Sequence, residues 1–92
     1  MQTNIIDILS VGEESALKAH EIAKLLNFKD IREVTEAIAS LRKRGEIICS
    51  STQGYFMPSG EQDIKAFCRR TESRIRELQA VLKSAERYLA HA

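Results

Sequence analysis

Residues 30 to 57, DIREVTEAIASLRKRGEIICSSTQGYFM, decide how this chain folds. Asp30 with Glu33 three residues on is an acidic capping box and opens a helix. Ile31, Val34, Ile38 and Leu41 then recur at helical spacing with Ala37 beside them, so one face of a helix over 30–44 is expected to be buried. The helix runs into the basic end RKR, and Gly45 ends it. Ile47, Ile48 and Cys49 read as a strand, Ser51-Thr52-Gln53-Gly54 as a turn, and Tyr55, Phe56 and Met57 as the returning strand, closed by Pro58. Tyr55 and Phe56 point to opposite faces of that strand, so one of them belongs to the core.

Upstream, KAHEIAKLLN places Ala19, Ile22, Ala23 and Leu26 on one stripe, a second amphipathic helix. Asn27, which tolerates the left-handed conformation, ends it, and Asn27-Phe28-Lys29 is a turn of about three residues into Asp30. Residues 4 to 11 bring Ile5, Ile8 and Leu9 together, with Ile6 alongside, as a first short helix started by Asn4 and Asp7 and stopped by Gly12. Glu13 to Lys18 is a connector, and in a fold of three helices and a hairpin its Ala16, Leu17 and Lys18 would be a short strand pairing with that hairpin.

Downstream, Ser59 and Gln62 read as another capping box, and nothing breaks a helix from Glu61 to about Ala90. At about 1.5 Å per residue that is a rod of roughly 45 Å. Ile64, Cys68, Thr71, Ile75, Leu78, Leu82, Ala85 and Leu89 follow one another at spacings of 4, 3, 4, 3, 4, 3 and 4. This is a heptad seam, with d at 64, 71, 78 and 85 and a at 68, 75, 82 and 89, and such a seam asks for a partner helix. Phe67, Val81 and Tyr88 at g widen it. The expected division is residues 3–58 as one small domain and 59–91 as a long pairing helix.

Composition bounds the function. Ninety-two residues, 43% of them hydrophobic and 29% charged, make one domain. Apolar runs are too short to span a bilayer, and no charged-then-apolar leader precedes the first helix, so a cytoplasmic address is expected. Cys49 and Cys68 make no CxxC, and His20 and His91 are scattered, so no metal or cofactor is expected and the thiols read as small apolar residues. No phosphate loop, nucleophile elbow or apolar carboxylate pair gives catalysis a foothold, and the chain reads as a non-enzyme. His20 beside Glu21, at the opening of the second helix, reads as a solvent-exposed or capping residue.

HEIAKLL, REVTEAIASLRKRG and EIICSSTQGYF together resemble the winged helix-turn-helix DNA-binding superfamily over residues 3 to 57. More narrowly, the hairpin followed by a long C-terminal helix is similar to small winged-helix proteins of bacterial prophages and their hosts. The resemblance implies a mainly α fold of three helices plus a β-hairpin wing, then the long amphipathic helix. It implies a dimeric bacterial or prophage transcription regulator that binds double-stranded DNA and pairs through Cys68, Thr71, Ile75, Leu78, Leu82, Ala85 and Leu89. The helix at 30–44 would be the recognition helix.

Helix angles set Arg32, Glu36, Ala39, Ser40 and Lys43 opposite the buried face, with Thr35 and Arg42 on the flanks. Arg32, Glu36 and Ser40 are the candidates for base edges, since Arg takes guanine bidentately and Glu accepts from cytosine. Lys29, Lys43 and Arg44 are candidates for phosphates, and Gln53 for contact from the hairpin tip, which carries no Lys or Arg of its own. The plain counter-reading is a solvated face in which Arg32 and Glu36, one turn apart, pair with each other. Net charge is +1, so phosphate contact would rest on local clustering. A protein-interaction adaptor in phage replication or packaging, with little or no DNA binding, is the alternative.

Overall fold

Local signals place most of the helix ends. The computed structural model describes residues 4–91. Within them are helices Ile5–Ile8 (α1), Ala19–Leu25 (α2), Ile31–Lys43 (α3) and Glu61–Ala90 (α4), a 3₁₀ turn at Glu13–Ser15, and strands Cys49–Ser51 (β1) and Gly54–Phe56 (β2). Asp30 Oδ1 accepts the Glu33 N–H at 3.0 Å, while the Glu33 carboxylate reaches one residue further back to the Lys29 N–H at 2.9 Å. Asn27 adopts φ 57°, and the Phe28 N–H closes α2 on the Ala23 carbonyl at 2.8 Å. At the end of α3, Gly45 takes φ 101°; its N–H meets the Arg42 carbonyl at 3.0 Å and the Glu46 N–H meets that of Leu41 at 3.1 Å. These two bonds together satisfy carbonyls that the helix would otherwise leave open.

The fold is mainly helical, with a two-stranded antiparallel hairpin and a long C-terminal helix. Ile5, Leu9, Ile22, Val34, Ile38, Leu41 and Ile48 form one buried cluster, with α2 packed across α3. In the hairpin Cys49 stands opposite Phe56, and both are buried. Phe56 is therefore the core aromatic, and Tyr55 is half-buried on the other face. The connector strand expected at 16–18 narrows to one residue: Leu17 exchanges both backbone bonds with Tyr55, at 2.9 and 2.8 Å. Gly54, at φ 127°, lies so close to Leu17 that a Cβ there would strike the Leu17 carbonyl.

Several expectations change. α1 stops at Ile8, because Leu9 turns extended and Ser10 and Gly12 then bond to Met57. Gly12 therefore opens the 3₁₀ turn instead of ending α1. Those bonds also take Met57 out of the hairpin: its N–H meets the Ser10 carbonyl and its carbonyl accepts the Gly12 N–H, both at 2.9 Å. Both strands accordingly sit one or two residues from their expected places, and only Thr52 and Gln53 lie between them. Ile47 is left 45% exposed outside β1, and Ile31, at the first position of α3, stands 51% exposed outside the core cluster. The start of α4 also differs. Gly60 is its N-cap, and Ser59 donates to Asp63 through its N–H at 2.8 Å and its hydroxyl at 2.7 Å, so Asp63 takes the part expected of Gln62.

α4 packs on β1, and its half-buried residues all lie among its first ten. Asp63, Ile64, Ala66, Phe67 and Arg70 are half-buried there, whereas every residue from 71 to 91 is exposed. About 20 residues therefore overhang the head by roughly 30 Å. No helix among the described residues is long and apolar enough to cross a membrane.

Candidate functional site

Caps and core fix the pose of α3, and its outer face is what remains. Val34, Ile38 and Leu41 anchor the inner side, so residues half a turn away point to solvent. Arg32, Glu36, Ala39, Ser40 and Lys43 are all exposed, and the Arg32 side chain is 83% exposed. Arg32 Nε donates to Glu36 Oε1 at 3.1 Å, the pairing of the counter-reading. That contact leaves the two terminal guanidinium nitrogens without a partner among the described residues. It is an exposed i,i+4 pair, worth only a few tenths of a kcal/mol and easily exchanged.

This is the only ion pair among the described residues. Lys29, Lys43 and Arg44 are exposed and have no carboxylate partner. Lys29 precedes α3 and Lys43 is its last residue, so cations bracket the helix. Ser40 and Arg44 turn toward α1, lining a shallow depression with Asn4, Phe28 and Ala37. The candidate set thus divides: Arg32, Glu36 and Lys43 share the outward strip, and Ser40 and Arg44 lie on its α1 side.

The hairpin tip holds Thr52 and Gln53, both exposed, with the Gln53 N–H donated to Ser51 Oγ at 3.1 Å. Its own residues carry no positive charge, but the fold brings one there. Lys18 Nζ donates to the Thr52 carbonyl at 3.2 Å, which the Leu17–Tyr55 bridge makes reachable. The signal was present in the expected strand at 16–18, whose last residue is this lysine.

Arg42, placed by helix angles on a flank, is half-buried and structural. Its Nε and Nη2 both donate to the Ile48 carbonyl, at 2.9 and 2.7 Å, and Nη2 also reaches Ser50 Oγ at 3.2 Å. The guanidinium carbon lies 4.8 Å from the Phe67 ring centroid and 5.8 Å from that of Tyr55. Arg42 thereby ties α3 to the residues entering β1 and to the first turns of α4. Its pKa is lowered, chiefly by burial.

Of the residues expected to pair helices, Cys68, Thr71, Ile75, Leu78, Leu82, Ala85 and Leu89 are all exposed. Cys68 is a free surface thiol and takes no part in the core, while Cys49 is buried and its pKa is raised, first by that burial. Ile64 alone of the heptad set packs on the head. Ile75, Leu78, Val81, Leu82, Tyr88 and Leu89 leave one broad apolar strip on the overhang. Among the described residues no three His, Cys, Asp or Glu side chains gather as metal ligands.

Comparison with protein-family models, with curated proteins and with solved structures finds no match to this chain.

Proposed function

We propose that the chain is a winged helix-turn-helix DNA-binding protein, a dimeric transcription regulator of bacterial or prophage type. In this reading α2 and α3 are the helix-turn-helix and the β1–β2 hairpin is the wing. The observation that carries it is the outer strip of α3, uncovered by α4 and bracketed by unpaired cations. Arg32 and Glu36 exchange their mutual contact for base edges, and Lys29, Lys43 and Arg44 hold phosphates. Lys18 and Gln53 add a contact from the wing. The overhanging halves of two α4 helices pair through the apolar strip and set the two α3 helices about one turn of duplex apart, roughly 34 Å.

Selection of bound sequences from random duplex DNA tests this. The expected result is an enriched pair of inverted half-sites spaced by one helical turn or a multiple of it. A library that emerges unenriched, with the protein unretained on DNA at moderate salt, defeats the proposal. It would favour an adaptor, a reading that the head's own balance of seven basic and eight acidic residues over 1–60 supports.

A further inference from the structure

Where the overhang of α4 leaves the head, its inner side and β1 border an open groove of about 580 Å³. Arg42, Arg70 and Arg74 line it, and none of the three has a carboxylate partner among the described residues. Ser50 organises two of them: its carbonyl accepts Arg70 Nε at 2.9 Å and its hydroxyl accepts Arg42 Nη2 at 3.2 Å. The terminal nitrogens of Arg70 remain free, and Arg74 makes no hydrogen bond among the described residues. The remaining walls are the polar Ser51, Thr52 and Thr71 and the apolar Phe67, Ile75 and Leu78.

We propose that this groove binds a small amphipathic oxyanion, a carboxylate, sulfonate or phosphate attached to an apolar body. The guanidinium forks of Arg70 and Arg74 take the oxyanion, and charge-assisted bonds of this kind are the strong ones. Phe67, Ile75 and Leu78 take the body. The volume falls within the range of small-molecule sites, about 300–1,000 Å³. A bound anion also offsets repulsion already present, since the charge of Arg74 adds to the burial that lowers the Arg42 pKa, against Tyr55 and Cys49. Duplex phosphate fits the groove less well, because it gains nothing from the apolar wall. The site lies apart from the outer strip of α3 and does not depend on the DNA reading.

The probe is 8-anilinonaphthalene-1-sulfonate, followed by its fluorescence on the full chain, with uncharged N-phenyl-1-naphthylamine as the control body. Saturable binding of the sulfonate is expected, competed by inorganic phosphate and weakened about tenfold or more by Arg74→Gln and by Arg70→Gln. The uncharged control should not respond to either substitution. Arg74→Gln carries the test, because Arg74 makes no bond that the fold needs. Equal sulfonate affinity in Arg74→Gln and wild type overturns the proposal, since the probe would then sit on the apolar strip alone. So does sulfonate binding that disappears as the chain is concentrated into a sedimenting dimer, which would mean that a second copy's helix fills the groove. Displacement by duplex DNA that requires Arg74 also overturns it and assigns these cations to nucleic acid.

Discussion

Two arginines ten residues apart on one helix do opposite work, and their surroundings decide which. Arg32 stands in water with one weak partner. Arg42 is held by a carbonyl and a hydroxyl against two rings. Arg32→Ala should leave the urea midpoint unchanged while relaxing preference at one base position, at a cost of about 1–3 kcal/mol. If a selected operator binds that variant as tightly and as selectively as wild type, Arg32 does not read bases. Lys43→Ala should behave differently, weakening all sequences alike and reducing the salt slope by about one. Arg42→Met is a stability experiment. It strips the buried Ile48 carbonyl of its side-chain donor, which costs about 1–3 kcal/mol when a buried acceptor goes unsatisfied. A midpoint that does not move would show that water replaces the guanidinium there.

Among the elements, what was legible in the sequence was local. Asp30, Asn27 and Gly45 mark helix ends because each signal acts on backbone groups within a few residues, and all three act as expected. The hairpin was legible as a hairpin but its register was not. The register goes with a two-residue turn, Thr52-Gln53, where four residues were expected, and Met57 leaves the hairpin to bond Ser10 and Gly12, some 45 residues away in the chain. Arg42 was hidden because it acts through partners on other elements, and Lys18 was signalled only by the strand expected at 16–18. The start of α4 offers a test of this kind of local device. Asp63 is held below the usual carboxylate pKa, first by the Ser59 N–H, then by the Ser59 hydroxyl, with Arg70 helping and burial opposing. A depressed folded-state pKa means stabilisation that is full above the ordinary carboxylate range and is lost as pH falls through the lower, folded value. Asp63→Asn lacks that contribution at every pH. The gap in urea midpoint between wild type and this variant should therefore be widest near neutrality and close in acid. A gap that holds steady from neutral pH into acid would remove Asp63 from the account.

At the scale of the whole molecule, the unusual feature is a helix whose final stretch of about 20 residues is all exposed. Most helical stability in proteins comes from packing an apolar face. The overhang has such a face, and Ile75, Leu78, Leu82 and Leu89 lie on it at heptad spacing. Burying each large side chain contributes roughly 1.5–3 kcal/mol, so pairing two chains along the strip would supply what one chain lacks. Folding of the overhang and association are then one equilibrium, and helicity should depend on concentration. Leu78→Asp places a charge in the middle of the strip, where an unpaired buried carboxylate is strongly disfavoured. The variant should sediment as a monomer and lose helical signal from the overhang, while the head, whose core lies wholly outside residues 71–91, still unfolds cooperatively. Wild type diluted below its association constant should reach the same reduced helicity. A wild-type chain that sediments as a monomer with full helicity at every concentration would show that the rod stands by itself, and the pairing of two α3 helices on one operator would have to be abandoned with it.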